Sequence, residues 1–186
     1  MTDYCDYSIS TYLLGCAEVE FQGRNEFDLI HIPSEKKSRW QLFKECIKRA
    51  NSTGEDDVII ICFEGHRFTK EYCKENLFNT ITKCATLGTQ ILIGGCADFK
   101  NLVPLTKDLY WIDSFSNANF YIIYKSAYNS ILKTIPLEKE ELDEILSQNL
   151  SNKIILYPFI SDMSMSENAD RRLDVYDRIT AKYHIV

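Results

Sequence analysis

Two continuous apolar runs organise the chain. Residues 58–63, VIIICF, contain no polar position, the pattern of a β-branched strand covered on both faces, as at the centre of a parallel sheet. Residues 91–93, ILI, are shorter and stop at Gly94-Gly95. Between them, Leu77, Ile81, Cys84 and Ala85 recur at helical spacing, with Thr69 as the N-cap and Gly88 as the stop. The order strand, helix, strand predicts a right-handed parallel crossover and therefore an α/β fold.

The flanks extend this pattern. Residues 27–32 read as a short strand ending at Pro33, and a helix capped by Ser34 follows, with Trp40, Phe43 and Ile47 on one face and NSTG at 51–54 ending it. Further on come a short apolar stretch at 109–112, a strand at 120–124 and a helix at 127–133. An acidic helix at 136–148 turns Leu142, Ile145 and Leu146 inward, and 154–160 is a further strand. From residue 161 the chain turns polar, then amphipathic around Leu173, Tyr176 and Ile179. The whole chain, 1–186, reads as one domain in which 161–186 form a mobile loop and a terminal helix.

Composition narrows the function classes. With 45% hydrophobic and 26% charged residues the chain has the balance of a folded protein, and its net charge of -6 argues against broad binding to nucleic acid or an anionic membrane. The densest basic cluster, Lys36, Lys37 and Arg39, reads as a solvated helix start. Seven cysteines without a C-x-x-C spacing fit neither a disulfide framework nor a zinc site. Cys46, Cys62 and Cys84 sit in apolar patterns as free thiols, which points to a reducing compartment. No secretory pattern opens the chain and no stretch is long enough to span a bilayer, so a cytoplasmic location is expected.

In open α/β sheets ligands collect at the carboxyl ends of the strands. That rule selects Glu64, Gly65 and His66 after the first apolar run, and Gly94, Gly95 and Asp98 after the second. It demotes Glu55, Asp56 and Asp57, which enter their strand from the opposite edge. Glu64 is suited to a divalent cation beside a diphosphate, because hard cations take carboxylate and phosphate oxygens together. His66 reads either as a loop histidine satisfied locally or as part of a donor loop. Gly94-Gly95 reads as a strand stop or as a place where backbone approaches a ligand closely. Neither G-x-G-x-x-G nor a Walker P-loop is present, which sets aside ordinary dinucleotide and ATP binding.

In order along the chain stand a helix, the run from Asp57, His66-Arg67-Phe68-Thr69, Ile91 to Gly95, and Val103-Pro104-Leu105. Then come Trp111 to Phe115, Asn119 to Tyr124, and Tyr157 to Ile160. From about Trp40 to Phe159 this order resembles glycosyltransferase family 25, the lipopolysaccharide-biosynthesis type, and its compact bacterial relatives. The resemblance implies a GT-A-like, Rossmann-like fold with a mostly parallel sheet flanked by helices. It also implies a nucleotide-sugar donor, a surface-glycan acceptor, Mn2+ or Mg2+, and a cytoplasmic protein peripheral to the inner membrane. It places Glu64 at the metal, His66, Gly94 and Gly95 at the donor, and Asp98 and Asp113 on the sugar or acceptor side. Asp113 would be the base that deprotonates the acceptor hydroxyl, or else a carboxylate capping local backbone. The family's Glu-Asp-Asp is replaced here by Phe63-Glu64-Gly65, which weakens metal binding and makes a catalytically inactive binding module the alternative to a glycosyltransferase.

Overall fold

The computed structural model describes residues 7–16, 18–33 and 36–163. In chain order the elements are β1 (Ile9–Leu14), a short 3-10 turn (Glu18–Phe21), β2 (Phe27–His31), α1 (Arg39–Thr53), β3 (Val58–Phe63) and β4 (His66–Phe68). They continue with α2 (Lys74–Thr86), β5 (Ile91–Ile93), β6 (Asp98–Pro104), β7 (Leu109–Ser116) and β8 (Phe120–Tyr124). The last are α3 (Lys125–Lys133), α4 (Leu142–Asn149), β9 (Lys153–Leu156) and β10 (Ser161–Met163).

Eight strands form one sheet in the order β2-β1-β3-β8-β5-β9-β7-β6, and β10 pairs with β4 in a separate ribbon. Six of the eight run in one direction; β8, between β3 and β5, and β7, between β9 and β6, run against them. The sheet is thus mostly parallel and flanked by helices. β3 and β5 point the same way through α2, as the apolar runs predict, but β8 is inserted between them.

Strand parity decides what each face packs against. Ile59, Ile61 and Phe63 join Tyr121, Ile123 and Ile155 under Phe43 and Ile47 of α1, Tyr128 of α3 and Ile145 of α4. Ile60 and Cys62 turn the other way, with Leu92, Ile122 and Ile154, against Leu77, Ile81 and Cys84 of α2. A strand covered on both faces needs apolar side chains at every position, and that is why β3 reads as an unbroken run.

Several boundaries differ from those expected. The first helix is capped by Ser38, whose Oγ accepts from Gln41 N while Gln41 Oε1 accepts from Ser38 N, a reciprocal capping box; Ser34 lies outside the described residues. Thr69 does not cap α2, which begins after Cys73; its hydroxyl donates to the Phe159 carbonyl and accepts from Glu71 N, closing a turn. α4 begins at Leu142, leaving Ile135 and Leu137 exposed. The final expected strand ends at Leu156, and residues 161–163 of the expected loop pair with β4. The expected terminal helix lies outside the described residues. β1 and β6 carry no clear pattern of their own, and β6 is specified by its partner β7.

Candidate functional site

The carboxyl ends of β1, β3 and β5 lie side by side, and the antiparallel β8 adds its amino end to the same edge, since Phe120 pairs with Cys62 and Tyr121 with Ile93. Glu64 leaves β3 here as an exposed carboxylate. Its backbone N donates to the Leu14 carbonyl (3.0 Å), and its carbonyl accepts from Asn119 Nδ2 (3.0 Å). Gly15, at φ +71°, passes so close that a Cβ there would lie 3.4 Å from the Glu64 Cβ.

Arg39 brings a cation to the same place. As the first residue of α1 it sits at the positive end of that helix, and its guanidinium lies over the Phe63 ring at 4.3 Å. Nη2 donates to the Ala118 carbonyl (2.9 Å), Asn119 Oδ1 (3.3 Å) and Tyr121 Oη (3.3 Å), while Nε is buried with no hydrogen-bond partner among the described residues. Asn119 therefore holds Arg39 with its oxygen and the Glu64 backbone with its nitrogen. Sequence reasoning took Arg39 for a solvated residue and missed Asn119. The readable signal was the Ser38–Gln41 capping box, which fixes the helix start and so places Arg39 at the edge.

Below Arg39, Tyr121 Oη lies 2.5 Å from the Ala118 carbonyl oxygen and 2.6 Å from Asp143 Oδ1, and Asp143 Oδ2 accepts from Ala118 N (3.1 Å). A phenol has one proton, so both short contacts are satisfied only when Asp143 carries a second. Burial first, against the lowering pull of Tyr121, Ala118 and Arg39, holds the Asp143 carboxyl above the ordinary value, in the direction this proton count requires. The network clamps residues 118–119 between α1 and α4.

His66 begins β4 and is 3% exposed. It stacks on Phe120 at 4.9 Å, meets Phe68 edge-on at 4.5 Å and pairs through Nδ1 with Ser161 Oγ at 2.8 Å; Nε2 is buried without a partner among the described residues. Burial, then the nearby Arg24, push its pKa down to about 3, so the ring is neutral. Gly94 and Gly95 are approached by the chain itself. The Gly94 carbonyl accepts from Ile160 N and Ser161 N, and a Cβ on Gly95 would lie 2.1 Å from the Ser161 carbonyl oxygen.

Asp98 and Asp113 stand on the β6–β7 hairpin. Asp98 accepts from its neighbour Phe99 N (2.8 Å) and lines a cleft of about 420 Å3 with Lys100, Ser114, Ser116, Glu144 and Gln148 among others. Asp113 does not line this cleft; its exposed carboxylate accepts from Asn101 Nδ2 at 3.2 Å. Ser116 borders the cleft and Asn119 borders Glu64, three residues on and at most roughly 11 Å away along the chain. Glu55, Asp56 and Asp57 precede β3 at the opposite edge, as expected, where Asp56 accepts from Ser10 and Asp57 pairs with Lys125. Among the described residues no three His, Cys, Asp or Glu side chains converge to hold a metal ion. Glu64, the expected metal ligand, belongs to no such cluster. No helix among the described residues is long and apolar enough to cross a membrane.

Solved structures share this fold. A197 from STIV matches over 89% of this chain and 91% of its own, with a TM-score of 0.61 at 9% identity. An apo UDP-glucose pyrophosphorylase matches over 87% of this chain and 73% of its own (TM-score 0.48, 12% identity). HddC from Yersinia pseudotuberculosis matches over 86% and 71% (TM-score 0.46, 13% identity). At such identities the likeness is one of fold, and the match to A197 carries it. No family model and no curated protein matches the chain, so the family 25 resemblance rests on the residues quoted for it.

Proposed function

We propose that the chain binds a nucleotide sugar at the carboxyl edge of its sheet and transfers the sugar to a glycan hydroxyl. The observation that carries this reading is the Arg39–Asn119–Glu64 constellation. A partly exposed guanidinium is fixed on an aromatic face and by three acceptors at the crevice where open α/β sheets bind ligands. In transfer, the acceptor oxygen bonds to the sugar's anomeric carbon as the bond to the diphosphate breaks. Negative charge then grows on the departing phosphate, where a pre-positioned cation stabilises it. Arg39 supplies that cation from the protein, and no step is assigned to a metal, because Glu64 belongs to no metal-holding cluster among the described residues.

Asp98, in the cleft one short loop away, is the better placed of the two acidic candidates to take the acceptor proton, and Asp113 is turned out of that cleft. His66, Gly94 and Gly95 serve by shaping the loop under the donor rather than by touching it. The second reading, a non-catalytic binding module, is favoured by one observation: Phe63-Glu64-Gly65 holds a single acid.

The test is thermal unfolding with UDP, GDP, CDP, dTDP and their sugars, in EDTA and in Mn2+ or Mg2+. A ligand at about a hundred times its dissociation constant adds roughly 2.7 kcal/mol. A shift in EDTA that Arg39→Lys abolishes supports the site, since lysine keeps the charge but not the fork. No shift with any nucleotide sinks it, and a shift only with metal overturns the assignment of charge to Arg39. Release of nucleoside diphosphate on adding glycan acceptors then separates enzyme from module.

A further inference from the structure

Cys16 and Cys62 are the two thiols in the described part of the chain seen to touch. Cys62 lies on β3 one residue before Phe63, Cys16 follows Gly15 beyond β1, and their sulfurs are 3.3 Å apart, with Cys62 Sγ donating to Cys16 Sγ. Both are buried, Cys62 at 0% and Cys16 at 7% exposure. The pair sits directly under the loop that carries Glu64. Nothing in the nucleotide-sugar reading uses it.

We propose that this pair is a peroxide-oxidised modification site, in which Cys16 is attacked first and Cys62 closes a disulfide. The Cys16 thiolate displaces hydroxide from hydrogen peroxide and becomes a sulfenic acid. The Cys62 thiol then gives up its proton, and its sulfur attacks Cys16 Sγ, expelling the sulfenic oxygen as water. Two thiols and one peroxide become one disulfide and two waters; the two sulfurs supply the two electrons that the peroxide accepts.

The asymmetry of the pair sets the order of events. Cys16 is the more accessible thiol, and the hydrogen bond it receives from Cys62 favours its thiolate, lowering its pKa, while burial holds that of Cys62 well up. At two other buried thiols burial dominates, pushing Cys46 up to about 12 and Cys84 up to about 11. Closing the bond draws the sulfurs from 3.3 Å to roughly 2.0 Å. Cys16 adjoins Gly15, where an added Cβ would lie 3.4 Å from the Glu64 Cβ, so the movement is passed toward Glu64. Oxidation is thereby felt at the candidate site.

The experiment treats the purified full chain with stoichiometric hydrogen peroxide, then measures intact mass and maps disulfide-linked peptides. The expected result is a loss of about 2 Da, two hydrogens, in a single species linking Cys16 to Cys62. In Cys62→Ser, Cys16 accumulates as a sulfenic acid trapped by dimedone, and Cys16→Ser leaves Cys62 reduced. A disulfide joining other cysteines, or alkylation of both Cys16 and Cys62 after peroxide, overturns the proposal. The wild-type map decides the matter even where a variant fails to fold.

Discussion

Replacing Gly95 by alanine tests whether the glycine pair exists for the chain or for a ligand. The added Cβ would stand 2.1 Å from the Ser161 carbonyl oxygen and 3.4 Å from the Phe159 Cβ. Carbon and oxygen do not approach closer than about 3.0 Å, so the backbone of residues 159–161 must move by about 0.9 Å or more. That displacement breaks or stretches two hydrogen bonds, Ile160 N and Ser161 N to the Gly94 carbonyl at 2.9 and 3.1 Å. At about 1 kcal/mol each for the bonds and about 1–3 kcal/mol for overpacking, the cost is roughly 3–5 kcal/mol. For a chain of this size that lowers the thermal midpoint by roughly 10 °C. Gly23→Ala is the control: Gly23 has φ +73° and nothing within 4 Å of an added Cβ, so only backbone strain of about 1 kcal/mol is expected. Both variants are compared by calorimetry and by urea unfolding. A Gly95→Ala midpoint no lower than that of Gly23→Ala, together with loss of nucleotide binding, would refute the packing argument and return the glycine to the ligand.

Two further outcomes follow from the buried titratable groups. The unfolded chain protonates His66 near pH 6.5 and the folded chain only near pH 3, so this residue's contribution is full above pH 6.5 and falls as pH drops below it. Between pH 7 and pH 5 the wild type should lose roughly 2 kcal/mol more than His66→Phe in urea unfolding, and parallel pH profiles would contradict this. Asp143→Asn keeps a donor toward Tyr121 Oη and an acceptor for Ala118 N, so it should stay within about 1 kcal/mol of wild type, while Asp143→Ala costs about 2–3 kcal/mol. If the two variants are equally destabilised, Asp143 is not the proton donor that the short contacts require.

What the sequence made legible was whatever burial writes locally. β3, β5 and β8 are covered on both faces and read as unbroken apolar runs, and from them the α/β class and the carboxyl edge with Glu64 followed. β6 was not legible, because its pattern of buried and exposed positions does not alternate and its place is set by β7. The helix starts drifted for a related reason. Thr69 has the chemistry of a cap, but a carbonyl 90 residues away claims its hydroxyl. The site residues were hidden more deeply, since Arg39 meets partners 79, 80 and 82 positions along the chain. No short-range spacing encodes that.

That a glycine rather than a second acid follows Glu64 also has a local physical cause. Glu64 and Gly65 form the two-residue turn between β3 and β4, and Gly65 takes φ +84°, a conformation that costs an L residue free energy. The turn is needed because β4 must fold back to pair with β10 and bury His66 against Phe68 and Phe120. An acid at position 65 would strain this return, so the glycine is retained by the ribbon whatever the edge binds. In the proposed reading, with a second carboxylate unavailable from that turn, neutralisation of the diphosphate falls to a residue whose position the turn does not govern. Arg39, carried by α1 and pinned through Asn119 to the Glu64 backbone, meets that condition.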